Sequence, residues 1–363
     1  MLQPPTWGFT VRFEGLALMM LAAGPASAVT PQPVAITWQE GRCADCQIAS
    51  QLDSVVFTSS RDAWAEGFTP PGDAGLGEYV ILHSRDGGRT WRELHWTYSH
   101  NTPAPYSFPG GRHGWIAYSD NGWATWKFAT VDTGGRIRRE IAPERDGAVN
   151  ALTMRPDGSG YAVTSDGVMR TTDGGRTWQV QKVSGDAIVF ADPLAGWMAT
   201  GPGRPKSHSI VVRRTIDGGV TWSDTPLAVP DTPGDIIGLW FADKRRGWLS
   251  LSYANGFHRT VWRTTDGGVT WAPDTVLRAA ETSPDPWVMA VGFTDASHGF
   301  AFARGDSDKR APSDLLYTAD GGDHWRKVAF DGDISACRPW QGALKCAATR
   351  KGKGFWIVTL KPD

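Results

Sequence analysis

The 363-residue chain has almost no net charge, with 37 Lys and Arg standing against 38 Asp and Glu. Such a balance lacks the positive excess that holds a nucleic-acid backbone or an anionic bilayer at long range, so any partner has to be recognised locally. The usual signatures of reaction chemistry are missing as well. The eight histidines show neither H-x-H nor H-x-x-x-H spacing, which excludes the common zinc arrangements. There is no P-loop, no G-x-S-x-G and no dinucleotide fingerprint. Asp306-Ser307-Asp308 offers oxygen ligands without the further spaced carboxylates of a calcium loop, and no cofactor or metal is expected. The apolar run over residues 16–23 falls well short of the roughly 20 residues that cross a bilayer.

That run does fit an export signal. Arg12 precedes it, Gly24 and Pro25 break it, and Ala26-Ser27-Ala28 supplies the small residues a signal peptidase needs. Residues 1–28 are therefore expected to be removed, leaving 29–363 as one exported domain, periplasmic or secreted, with no membrane anchor. Cysteine is scarce, but four residues in an exported chain imply two disulfides, for which three connectivities exist. Cys337 and Cys346 flank Pro339-Trp340-Gln341-Gly342, and a hairpin there sets the two sulfurs on facing strands, so they are paired. Cys43-Ala44-Asp45-Cys46 is a C-x-x-C with no thioredoxin-like βαβ pattern around it and is read as a structural staple.

What the chain has in abundance is Gly (43) and Trp (19), a combination suited to short strands and many tight turns. Both concentrate in an internal repeat, S/T-x-D-x-G-x-T-W, at residues 84–91, 171–178, 215–222 and 264–271, with His for Thr in a fifth copy at 318–325. The gap between Trp91 and Trp178 is about twice the others and implies a hidden copy. Residues 119–126 put Trp123 where a turn glycine belongs, so the degenerate copy is assigned to 130–137, which keeps Thr130, Asp132 and Gly134 in register. The copies then end at 91, 137, 178, 222, 271 and 325, about one four-stranded propeller blade per step.

A second signal precedes each octapeptide, a Gly-aromatic or Ala-Trp step such as Ala63-Trp64, Gly114-Trp115, Gly196-Trp197 or Gly247-Trp248, often with F-x-D shortly before it. The unit reads as strand A ending in F-x-D, strand B opening on the aromatic, strand C running into the octapeptide, and strand D starting at its Trp. After Trp325 three more strand-like runs follow without an octapeptide. Residues 34–38 supply the missing fourth, so the ring closes with both chain ends sharing a blade. The expectation is an all-β propeller of seven blades, or six if the terminal strands pack differently.

Within the octapeptide, the hydroxyl and the Asp two residues later fold back onto N–H groups of their own turn. The glycines take left-handed backbone angles. The Trp closes the unit by burying its face between sheets, a contribution of roughly 2–3 kcal/mol per ring. Asp86, Asp132, Asp173, Asp217, Asp266 and Asp320, with Trp91, Trp178, Trp222, Trp271 and Trp325, are therefore structural, and no catalytic residue is assigned. With every octapeptide in a C-to-D turn, all lie on one face of the ring. The long irregular segments, residues 69–77, 201–208, 252–258, 304–312, 96–105 and 279–286, then fall on the other, which is the expected working surface.

These residues resemble the repeat unit of the photosystem II stability and assembly factor-like propellers, and more broadly the bacterial neuraminidase repeat (Asp-box) proteins, which include sialidases, xyloglucanases and the sortilin ectodomain. The resemblance covers about residues 50–325. It implies a non-enzymatic propeller that contacts a protein partner. A sialidase would imply an F/Y-R-I-P segment and a late Tyr-Glu pair, but no such segment occurs and the last tyrosine is Tyr317. The leading reading is an exported, monomeric, non-catalytic propeller that binds a protein or glycan; a glycoside hydrolase is the alternative. Arg204, Lys206, His208, His258, Arg259, Lys309 and Arg310 are the candidate binding residues, a basic sector on the face away from the boxes.

Overall fold

A computed structural model describes residues 34–44, 46, 52–68, 79–94, 106–108, 113–119, 126–132, 136–141, 149–164, 167–201, 210–229, 233–253, 259–280, 287–304, 314–350 and 353–363. They form seven antiparallel blades, with strand A innermost and strand D outermost. In order A to D, blade 1 is Leu52–Phe57, Ala63–Phe68, Tyr79–Ser84 and Thr90–Leu94; blade 2 is Tyr106–Ser107, His113–Ser119, Trp126–Asp132 and Ile137–Ile141. Blade 3 is Val149–Met154, Gly160–Thr164, Gly167–Thr171 and Gln179–Gln181; blade 4 is Ala187–Phe190, Gly196–Thr200, Ile210–Thr215 and Ser223–Leu227. Blade 5 is Pro233–Phe241, Gly247–Tyr253, Arg259–Thr264 and Ala272–Pro273; blade 6 is Trp287–Phe293, Gly299–Arg304, Asp314–Thr318 and Arg326–Val328.

Blade 7 decides between seven and six. Its strands A to C are Gly332–Trp340, Ala343–Arg350 and Lys353–Pro362, and its strand D is Val34–Glu40 from the other end of the chain, paired from Val34↔Pro362 to Glu40↔Trp356. Pairing the two ends covers edges that would otherwise template aggregation. The chain then steps across the seam. Gly41 donates its N–H to the Phe355 carbonyl (3.1 Å), Arg42 donates to that of Arg89 (2.9 Å), and Arg42–Cys43 adds a short parallel strand outside Thr90–Leu94 of blade 1. Cys43 and Cys46 are disulfide-bonded beside this strand. Cys337 and Cys346 form the second disulfide as a directly opposed cross-strand pair, Cα to Cα 4.1 Å.

Innermost strands pack on one another from blade 2 round through blade 7 to blade 1. Blades 1 and 2 join through a cluster of Trp64, Ile81, Leu94, Ile116, Ala129 and Val131 and through a 2.6 Å hydrogen bond between the Ser54 and Tyr106 hydroxyls. The wedge between blades repeats. The strand-B aromatic of one blade stacks on the strand-A phenylalanine of the next and meets its octapeptide Trp edge-on: Tyr161 with Phe190 and Trp222, Trp197 with Phe241, Trp248 with Phe293 and Trp325. Trp197 and Trp248 are fully buried, which is why an aromatic recurs at the start of strand B.

Strand C of blade 2 ends at Asp132 and strand D begins at Ile137, whereas 119–126 joins strands B and C. Asp132 still accepts the Arg136 N–H (3.0 Å). One element has no counterpart in the sequence reading: a six-residue helix, Thr275–Ala280, follows strand D of blade 5 and overlaps the start of the segment 279–286. Asp274 caps it, accepting N–H groups of Val276 and Leu277 at 3.0 and 2.8 Å, and Leu277 is fully buried.

Candidate functional site

The octapeptides form one of the two faces, and their polar atoms are committed to it. In blade 4, Thr215 Oγ1 accepts the Gly219 N–H (2.7 Å) and donates to Asp217 Oδ1 (2.8 Å). Asp217 in turn accepts the N–H groups of Val220 (3.0 Å) and Thr221 (2.9 Å) and the Thr221 hydroxyl (2.6 Å). The same set recurs around Asp86, Asp173 and Asp266; at Asp320 the His324 ring nitrogen, 2.6 Å away, takes the place of the threonine hydroxyl. Gly218 and Gly219 both have positive φ, 71° and 78°, and a side chain at Gly219 would run into the Tyr161 hydroxyl. In five octapeptides a glycine N–H donates to a carbonyl in the A-to-B turn of its own blade: Gly87 to Arg61, Gly174 to Gly158, Gly218 to Leu194, Gly267 to Arg245 and Gly321 to Ser297. The two kinds of short turn therefore share one face.

These bonds stabilise the ionised carboxylates. The Thr177 N–H and hydroxyl bring Asp173 down to about 2, and the Thr221 hydroxyl and N–H bring Asp217 to about 2. At Asp86 and Asp266 burial opposes the effect, but bonds from Thr90 and Thr270 outweigh it and both stay below the ordinary carboxylate value. A group held so acidic is a poor proton donor near neutrality. The tryptophans vary more. Trp91 and Trp325 are buried, while Trp178, Trp222 and Trp271 are half-buried, so the assumed burial of the whole ring is complete in two blades of five.

Strand topology puts the B-to-C and D-to-A connections on the other face. Residues 202–209, 254–258 and 305–313 join strands B and C in consecutive blades 4, 5 and 6, so these segments leave the ring at the same end. Arg204, Lys206, His208, His258, Lys309 and Arg310 lie outside the described residues, as do Asp306 to Asp308. Arg259 opens strand C of blade 5, with its side chain outside the description. At the strand ends of blade 4, Asp186 accepts the Gly201 N–H (2.7 Å), Thr200 donates to the Ser184 carbonyl (2.6 Å), and Arg213 reaches both Thr200 and Asp224.

Sequence reasoning missed a polar node at the seam of blades 1 and 2. Glu66, buried in strand B, accepts a long bond from the Ser54 hydroxyl (3.4 Å), which also meets Tyr106. Burial, reinforced by the Glu66 charge, pushes the Tyr106 phenol up. Its one signal was a glutamate inside the apolar run Ala63–Phe68. Among the described residues no three His, Cys, Asp or Glu side chains are grouped to hold a metal ion, and no helix is long and apolar enough to cross a membrane.

No family model and no curated protein matches the chain. Solved structures do. YCF48 bound to D1 peptide is 16% identical with a TM-score of 0.58, the match covering 91% of this chain and 97% of that one. YCF48 from Cyanidioschyzon merolae is 16% identical, TM-score 0.57, over 90% and 98%. The GH74 xyloglucanase from Xanthomonas campestris is 14% identical, TM-score 0.58, over 89% of this chain and 53% of that chain. At these identities the likeness is one of fold.

Proposed function

We propose that the chain is an exported, non-catalytic propeller that binds a protein partner through the face opposite the octapeptides, using the basic sector of Arg204, Lys206, His208, His258, Arg259, Lys309 and Arg310. The observation that carries this reading is the asymmetry of the ring. One face consists of short turns whose carboxylates and hydroxyls are consumed in holding them, and the other carries the long connections of blades 1, 4, 5 and 6. Loops on a rigid scaffold are the usual place for recognition. The similar fold of YCF48 bound to D1 peptide supports a polypeptide as the ligand. Removal of residues 1–28 belongs to the proposal; it would leave 29–33 ahead of the closing strand and suits a chain with two disulfides.

The test is selection of peptides from a displayed library against residues 29–363, followed by affinity measurement on variants. Reversing Arg204, Lys206 and Arg310 to Glu should weaken the selected peptides at least tenfold, while Arg89→Glu on the other face leaves them unchanged. Binders that respond only to Arg89→Glu would contradict the proposal. So would turnover of fluorogenic glycosides, which the GH74 likeness makes the competing outcome.

A further inference from the structure

Each blade ends in an outer strand whose free edge can template further pairing, and six of the seven edges are blunted. Thr90–Leu94 of blade 1 is covered at Thr90 and Trp91 by Arg42–Cys43 and carries Arg92 and Glu93. Ile137–Ile141 of blade 2 carries Arg138, Arg139 and Glu140, and Ser223–Leu227 of blade 4 carries Asp224 and Pro226. The outer strands of blades 3, 5 and 6 are only three, two and three residues long. Charge, proline and short length are the devices that keep edges from pairing.

Blade 7 uses none of them. Its outer strand, Val34–Glu40, is the longest of the seven outer strands at seven residues, with no proline and no charge before Glu40. Among the described residues no strand pairs with its outward side. The inference below rests on the proposed removal of residues 1–28, after which five residues precede the strand, two of them proline, too few to turn back and cover it. One face of the strand is committed, since Val34, Ile36 and Trp38 pack on the cluster shared with blade 6. Ala35, Thr37 and Gln39 alternate onto the other face, where Thr37 is exposed.

A row of backbone N–H and C=O groups is complementary to another extended polypeptide rather than to a glycan or a lipid. We infer that this edge is where two copies of the chain associate, strand against antiparallel strand. Full overlap fixes the register: Thr37 of each copy lies opposite Thr37 of the other, Ile36 opposite Trp38, Ala35 opposite Gln39 and Val34 opposite Glu40. That register sets a β-branched side chain against an aromatic one twice and puts no like charges across from each other, as a self-complementary contact requires. The two four-stranded sheets then continue as one, with the rings rim to rim. Because the joined strands are antiparallel, the faces opposite the octapeptides point in opposite directions and both stay open. A join of one short strand pair buries less than the roughly 800 Å² per partner of a standard interface, so the dimer is weak and concentration-dependent. It stands against the monomer expected from sequence.

Sedimentation velocity on residues 29–363 from ~10 μM to ~1 mM should show monomer passing to dimer. Thr37→Lys sets two cations opposite each other on the twofold axis, at an exposed position that leaves the monomer folded, and should weaken association about tenfold or more. Val180→Lys, the same charge on the exposed outer strand of blade 3, should leave association unchanged. Cross-linking under mild oxidation reads the register. Thr37→Cys chains should join as dimers, because directly opposed residues lie about 4.5–5.5 Å apart at Cα. Ala35→Cys chains, about 14 Å apart along the strands, should not join one another but should join Gln39→Cys chains when the two are mixed. Thermal melts verify that each variant is folded, and mass spectrometry of the exported chain reports removal of residues 1–28 separately. A 29–363 chain monomeric throughout, a dimer indifferent to Thr37→Lys, or Ala35→Cys chains that cross-link as readily as Thr37→Cys chains overturns the inference.

Discussion

In blades 3 to 6 the four strands follow one another in the chain and an octapeptide closes the third onto the fourth, whereas blade 7 has no octapeptide and borrows its fourth strand from residues 34–40. The first kind is specified locally. Each turn satisfies its own carboxylate and glycines, and the strand-B aromatics of blades 3, 4 and 5 find the next blade's phenylalanine within the following fifty or so residues. Blade 7 is specified by closure. Its strands pair over the full length of the chain, and a cross-strand disulfide takes the position of a local turn signal. A ring can therefore carry one blade without the repeat, provided the chain ends meet there.

Breaking the closing strand should have the largest effect. Deleting residues 34–40 removes seven pairings with Lys353–Pro362 and the stacking of Trp38 on Phe330. The deleted chain is expected to lose its cooperative thermal transition by circular dichroism; a retained sharp transition would show that blade 7 closes without its fourth strand. Next comes the wedge between blades. Trp197→Ala empties a fully buried site stacked on Phe241 and should cost about 3–5 kcal/mol in denaturant titration. Replacing Cys337 and Cys346 by Ser should follow, at roughly 2–3 kcal/mol for a loop this short. A single octapeptide carboxylate ranks lower: Asp217→Ala, at an exposed turn, should cost about 1–2 kcal/mol in the same titration.

Smallest at neutral pH is His83. Burial, helped by Arg92, lowers it from 6.5 to about 4, so between these values the unfolded chain binds the proton that the folded chain refuses. Its neutral form leaves stability intact above pH 6.5, and stability falls as pH drops toward 4, on the order of 1 kcal/mol by pH 5. His83→Gln should flatten that slope in urea titrations at pH 7 and pH 5. An unchanged slope would assign the acid sensitivity elsewhere.

The parts built by local code were the parts legible in sequence. Asp217, Gly219 and Trp222 announce their turn wherever it occurs, and counting such turns sufficed for the blade number once Val34–Glu40 was enlisted as a strand. Strand C of blade 2 ends at Asp132, the aspartate that the repeat spacing singled out. What escaped was tertiary. Nothing local in Arg42–Cys43 says that it will lie against Thr90–Leu94, and the helix at Thr275–Ala280 rests on one capping aspartate and one buried leucine. The candidate site was legible only as a face. The residues that differ among loops carry no repeat from which their mutual positions follow, and Glu66 gave no sign of meeting Ser54 across the strand pair or of lying near Tyr106 at the seam.

The claim beneath all of this is that the octapeptide aspartates are turn fasteners, ionised and fully engaged. Carboxyl carbon chemical shifts of Asp173 and Asp217, followed by NMR through an acid titration, measure that engagement directly. The account predicts midpoints of about 2 for both, below the ordinary 3.8, with the Thr177 and Thr221 amides shifting at the same pH. A midpoint at or above 3.8 for either residue, or one uncoupled from its threonine amide, would contradict it.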